Sequence, residues 1–195
     1  VFGAGNELFS LTVGASDSTI AGGAGNDTFV VSASNLQTAS KIAGGAGNDS
    51  VTFAGELSGG SVVGGAGEDT INISAGVNND ARISGDAGSD VFLFSSTVNT
   101  AALYGGTGVD SMSFSGALSG STVDFGASNE IATFSVVVSD STINGGAGDD
   151  TLVFNTSSLT ISSVMGGAGD DTLIFSSTVI NTSVDGGAGD DSFSI

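Results

Sequence analysis

The sequence predicts an all-β fold, a right-handed parallel β-solenoid of about 20 residues per coil with its special turns along one edge. Three observations carry that prediction. A six-residue glycine–acid turn returns ten times along the 195 residues. Between turns, apolar and polar residues alternate with period two, the mark of strands with one buried face. The chain has 33 glycines spread along its length and no 3.6-residue apolar period, so a helix has no foothold.

Written as positions one to six, the turn reads "GGAGND" from Gly22 and Gly44, "GGAGED" from Gly64, and "GGAGDD" from Gly145, Gly166 and Gly186, with variants from Gly85 and Gly105. Degenerate copies start at Phe2 ("FGAGNE") and Phe125 ("FGASNE"). Successive starts lie 20 to 22 residues apart with no shift in composition, so residues 1–195 read as a single array of about nine coils, a piece of a longer repetitive chain.

After each turn come two apolar columns, one from Phe9 through Met112 to Phe193, the other from Leu11 through Phe114 to Ile195. Before the next turn, a second strand places an apolar column from Ile20 to Val184 two residues after a column of small ones, Ser18, Ser40, Gly60, Ala81, Ala101, Ser121, Ser141, Ser162 and Thr182. Large residues on one wall facing small ones on the other suit a narrow, two-walled coil. A third apolar point, from Leu36 to Val179, is expected where the chain bends back. One repeat cannot bury these residues alone, so coils stack about 4.8 Å apart with equivalent strands paired. Phe53, Phe94, Phe114, Phe134, Phe154 and Phe175 are expected to form a near-continuous aromatic ladder.

Composition narrows the partners. Net charge is −19, from 21 acids against Lys41 and Arg82, which disfavours nucleic acid and anionic membranes and favours cations. No run of 18 apolar residues is present for a membrane span. With no cysteine, something other than disulfides must staple the chain. The 39% of apolar residues argues against a disordered acidic tail.

Solenoid stacking turns position six into a column of Asp27, Asp49, Asp69, Asp90 and Asp110, then Asp150, Asp171 and Asp191, with Glu7 and Glu130 as weaker members. Like charges about 5 Å apart repel by more than about 1 kcal/mol per pair at an effective dielectric near 20. The column needs neutralising. Glycines at position two (Gly23, Gly45, Gly65, Gly106, Gly146, Gly167 and Gly187) and position four (Gly25, Gly47, Gly67, Gly88, Gly108, Gly148, Gly169 and Gly189) allow tight backbone conformations that turn carbonyl oxygens inward. Carboxylate plus carbonyl, without nitrogen or sulfur, is the donor set of a hard divalent cation, and irregular flexible geometry favours calcium over magnesium, with about six to nine ions. A single Gly-Asn-Asp cluster forms a plain turn without metal; ten in register reverse that balance. Phosphate binding at the glycine-rich loop lacks both a following helix and a P-loop lysine. In Asp149–Asp150, Asp170–Asp171 and Asp190–Asp191 the additional acid, at position five, reads as solvent-facing.

The string GGxGxDxUx, here "GGAGNDTFV" and "GGAGDDTLV", resembles the repeat of the haemolysin-type RTX calcium-binding proteins. That resemblance implies a parallel β-roll secreted unfolded and folding outside the cell as calcium enters between successive turns, held by position-six carboxylates and loop carbonyls of two neighbouring coils. Two departures bear on it. Family repeats run in tandem nines, with a calcium turn at both edges of the coil, whereas here the opposite edge reads "SGGS", "NNDA" or "SLTIS", so calcium is expected along one edge only. At the Phe125 turn, Ser128 replaces a glycine and Glu130 an aspartate, and Glu7 makes the same change, so sites flanking those turns are expected to be weak or empty.

An enzyme is not expected: no histidine, no cysteine and two basic residues leave little to activate a nucleophile or hold an oxyanion. The expected role is a calcium-binding structural protein of an extracellular surface layer, sheath or filament, secreted by a type I route and self-associating end to end or laterally. The alternatives are a calcium-binding tail of a secreted toxin or enzyme, and an adhesin or ice-binding segment. RTX-like antifreeze domains resemble this chain in coil size but carry a Thr-x-Asx row on the turns, where this chain has alanine at position three in nearly every copy.

Overall fold

The computed structural model describes residues 3–32, 36–37, 39–156, 158–176 and 178–195. Phe2, the start of the first degenerate turn, lies outside them. Among the described residues there is no helix, and the strands form three parallel sheets of ten, nine and seven strands. The ten-stranded sheet runs from Leu8–Leu11 to Ser192–Ser194, the nine-stranded one from Thr19–Ala24 to Ser183–Ala188 and the seven-stranded one from Leu57–Ser58 to Thr178–Ile180.

Every coil contributes one strand to each long sheet in strict register, for example Phe114↔Phe134 and Phe134↔Phe154, or Gly126↔Gly146 and Gly146↔Gly167. Identical positions therefore stack, and the turn's six residues become six columns.

The cross-section corrects the two-walled expectation. The column from Leu36 to Val179 does not mark a bend; its residues sit in a third short sheet, continued through the bridges Ala15↔Leu36 and Leu36↔Leu57. Three walls close a wider core than two, and they accommodate a phenylalanine and a small residue in the same layer. Phe94, Phe114, Phe134, Phe154 and Phe175 stack with ring centroids 4.6 to 5.0 Å apart and near-parallel planes. Phe53 belongs to the same column but is separated from Phe94 by Ile73, so the aromatic run is five rings long there rather than six. Phe9 and Phe29 stack in the adjoining column.

The small residues of the second strand are more than fillers. Ser121, Ser141 and Ser162 are buried, and each hydroxyl accepts from an amide of the preceding coil, those of Ala101, Ser121 and Ser141, at 3.1 to 3.3 Å. Each also donates to the carbonyl two residues earlier, at 2.8 to 2.9 Å. An inward hydroxyl must find both partners or cost about 1–3 kcal/mol. Here the coil corner supplies them. The same corner places Asp80, Thr100, Asp140, Ile161 and Asn181 at positive φ of 48 to 60°. Asp and Asn tolerate that region, whereas a β-branched isoleucine does so only under strain.

Two outcomes are expected. Phe134→Ala, in the middle of the ring stack, lowers stability by about 3–5 kcal/mol in denaturant titration of the calcium-loaded chain, and a loss below about 1 kcal/mol overturns the packing described. Ile161→Gly raises stability by about 1 kcal/mol by relieving the left-handed corner, which the same titration reads as a higher midpoint.

Candidate metal centre

Solenoid register brings the predicted acids together in a single column, buried except at its ends, where Glu7 and Asp191 are half-buried. Asp27, Asp49, Asp69, Asp90, Asp110, Asp150 and Asp171 are 1 to 2% exposed, and Glu130 is fully buried in the gap between Asp110 and Asp150. Each position-six aspartate uses one oxygen to tie the coils. Asp49 Oδ1 accepts from the Asp27 amide, Asp69 Oδ1 from Asp49 and Asp90 Oδ1 from Asp69, all at 2.7 Å. Asp110, Asp150, Asp171 and Asp191 accept in the same way from the acid one coil earlier, and Asp27 accepts from the Glu7 amide.

The other oxygen is left over. Oδ2 of Asp27, Asp49, Asp69, Asp90, Asp110, Asp150 and Asp171 is buried and has no hydrogen-bond partner, as are Glu7 Oε2 and both Glu130 oxygens. A buried ionised oxygen without a partner is costly, and burial accordingly pushes Asp69 and Asp110 up to about 7 and Glu130 up to about 8. Asp49, Asp90, Asp150 and Asp171 are raised for the same first reason. Glu7 is raised chiefly by the Asp27 carboxyl beside it.

The first-position glycine shows where these oxygens are aimed. A Cβ placed on Gly22 would meet Asp27 Oδ2 and, at 2.7 Å, the carbonyl oxygen of Gly44 in the next coil. The same convergence recurs at Gly44 (Asp49 with the Gly64 carbonyl), Gly85 (Asp90 with Gly105), Gly105 (Asp110 with Phe125), Gly145 (Asp150 with Gly166) and Gly166 (Asp171 with Gly186). Carboxylate and carbonyl oxygens from consecutive coils thus share a space that only glycine leaves open. That donor set fits a hard cation such as calcium. Among the described residues no three acidic side chains gather at one point, so such an ion would depend on backbone carbonyls for most of its ligands.

These first-position carbonyls were not among the candidates read from the sequence, although glycine at position one in eight of the ten turns was a visible signal. The position-two and position-four glycines lie differently. They adopt φ of 104 to 141°, and their carbonyls stack against the equivalent residue one coil on, Gly23 O under Gly45 and Gly25 O under Gly47. Ser128 takes φ 127° where other coils have glycine, a strained choice for a residue with a Cβ.

A second ladder runs outside the first. The exposed position-five side chains Asn6, Asn26, Asn48, Asn129, Asp149 and Asp170 each accept an amide from the following coil at 2.8 to 3.0 Å. Asp149 and Asp170 are solvent-facing, as expected, yet they also join coils.

The Phe125 turn breaks the pattern. Its carbonyl still meets Asp110, but the fully buried Phe125 carries a Cβ where glycine elsewhere leaves room for the acid of its own turn. Glu130, one methylene longer than aspartate, makes no bond to the Asp110 amide, and the carboxylate ladder skips that step.

The raised carboxyls give a pH signature to the metal-free chain. The folded chain holds protons that the unfolded chain, with its ordinary carboxyl value of 3.8, has released. The stabilisation is complete below about pH 4 and is lost as pH climbs through about 7 to 8. In metal-depleted buffer, β content and melting temperature are expected to be higher at about pH 5 than at about pH 8. A flat or rising profile overturns the buried column.

Comparison with known proteins agrees with this geometry. A family model described as the RTX calcium-binding nonapeptide repeat matches four times, at residues 10–35, 39–54, 139–156 and 163–175. No curated protein matches the chain. Among solved structures, the chain is similar to the crystal structure of a hyperactive, Ca2+-dependent, β-helical antifreeze protein from an Antarctic bacterium, at 26% identity and a TM-score of 0.70. The match covers 97% of this chain and 64% of that one. The chain therefore carries RTX calcium-binding repeats, wound into a parallel β-solenoid of about nine turns.

Proposed function

We propose that the array is a structural rod of an extracellular layer, sheath or filament, made rigid by calcium held between successive turns. The observation that carries this reading is the column of buried, unpartnered Oδ2 atoms, all but that of Asp69 converging with a carbonyl of the next coil. The position-six aspartates and first-position carbonyls would hold the ions, with carbonyls of positions two and four completing the shells. Bound there, calcium supplies the positive charge that lets neighbouring carboxylates stay ionised and buried. This chain's own residues do the rest: the amide–carboxylate ladder sets the spacing, and the in-register sheets transmit it along the rod. The array's lack of histidine and its near-lack of basic residues support a scaffold over catalysis. A secreted location is the reading that such repeats support.

The antifreeze neighbour favours a second reading, ice binding. Against it, the exposed third-position column of the turns is alanine at Ala24, Ala46, Ala66, Ala87, Ala127, Ala147, Ala168 and Ala188, with Thr107 alone offering a hydroxyl.

Circular dichroism with light scattering, as calcium is raised from chelator to about 10 mM at neutral pH, tests the rod. A coil-to-β transition with growing particle size is expected. Folding without assembly favours the secretion-tail reading, thermal hysteresis by the folded monomer favours ice, and complete β structure in chelator sinks the calcium argument. At single sites, Asp69→Ala is expected to lower calcium stoichiometry by two and to loosen the adjoining coils. Gly44→Ala, whose methyl would occupy the space between Asp49 Oδ2 and the Gly64 carbonyl, is expected to lower it by one. Unchanged stoichiometry by calorimetry in both variants would place the ions elsewhere.

A further inference from the structure

The outer face of the ten-stranded sheet stands apart from the other long sheet and from the turn edge. Its side chains form two columns, one through Thr70, Val91, Ser111 and Ile131, the other through Asn72, Leu93, Ser113 and Thr133. Over all ten strands neither column holds a charged residue, in a chain of net charge −19. The other long sheet carries Lys41, Arg82, Asp86, Asp124 and Asp185 on its outer side, and the turn edge carries the exposed acids of position five. Val30, Val91, Leu93 and Ile131 on the charge-free face are 37 to 52% exposed. At about 4.8 Å per strand and 3.3 Å per residue, the face measures about 600 Å² in projection, the low end of what each partner buries in a stable pair.

We propose that this face is an interface with a second copy of the chain, the two rods lying face to face and antiparallel. The inference deepens the structural-rod reading by naming the partner and the surface. Electrostatics selects the occupant: two copies of so acidic a chain repel where their turn edges or nine-stranded sheets meet. The narrow seven-stranded sheet, though its outward column is uncharged, is flanked by the exposed Glu56, Asp80 and Asp140, so this is the broad face whose contact desolvates no charge. Side-chain size selects the register. Val91 and Leu93 stand directly beside Ser111 and Ser113 on the next strand, a ridge next to a depression. A two-fold axis parallel to the strands and midway between these two seats each copy's Val91 and Leu93 over the other's Ser111 and Ser113. The same operation sets Ile131 opposite Thr70 and Val153 opposite Thr52, large against small, and joins Val30 to Ile174 as an apolar pair. One axis satisfies all of these, as a self-complementary two-fold contact requires.

The test is sedimentation equilibrium of the calcium-loaded chain at concentrations up to about 1 mM, with circular dichroism confirming full β structure in every variant. A dimer is expected. Ser113→Glu, which sets a carboxylate against the partner's Leu93, is expected to weaken it at least about tenfold, while Thr122→Glu on the nine-stranded sheet leaves it unchanged. Leu93→Ser and Ser113→Leu are each expected to weaken the dimer, the first by facing two depressions and the second by facing two ridges. The double variant exchanges ridge and depression on both copies and is expected to recover affinity to within about threefold. A folded chain that remains monomeric overturns the interface while leaving the calcium rod intact. Additive losses in the double variant overturn the register. Ice-growth arrest by a monomer, abolished by Ser113→Glu, would assign the face to ice instead of a second copy.

Discussion

A carboxylate stacked on a carboxylate every coil is the constraint on which this structure depends. Strand pairing sets the repeat at about 4.8 Å, so any acid kept at one position of the turn must meet its own copies. The chain meets half of the difficulty itself. Each position-six oxygen Oδ1 takes an amide of the neighbouring coil, which converts a repulsive column into a cross-coil tie. Oδ2 remains buried and unanswered. A protein interior does not leave such atoms without compensation, and protons or a hard cation are the two forms it can take here.

Glycine has two separate duties in the turn. At positions two and four it supplies a positive φ that few residues adopt, and Asp86 and Ser128 show that two coils tolerate departing from this. At position one its role is spatial, because a single carbon would fill the gap between an acid and the carbonyl one coil on. Phe125 illustrates the difference. Its backbone serves the coil before it as any residue's would, while its side chain closes the space that its own Glu130 would otherwise use. The column is thereby divided into a run of five aspartates and a run of three.

Polar side chains inside and outside the coil work by the same rule. The inner serines at 121, 141 and 162 accept amides from the preceding coil, and the outer position-five side chains accept from the following one. Neither set needs a particular residue type so much as a short acceptor repeated in register. That is why asparagine, aspartate and serine interchange along these columns while apolar positions keep their character.

Much of this was legible in the sequence by itself. The period of 20 to 22 residues, the alternation within each strand and the column of acids at position six are one-dimensional patterns, and stacking projects them directly into space. A repeat fold allows this because each residue's main neighbours are its own copies one period away. The tertiary structure alone decided what lies across the coil. It showed that the column from Leu36 to Val179 forms a third wall, that Ile73 interrupts the phenylalanine ladder, and that the first-position carbonyl faces the acid. Those relations join different positions within one repeat, and their geometry follows from how three short strands turn corners and pack, which no period along the chain encodes.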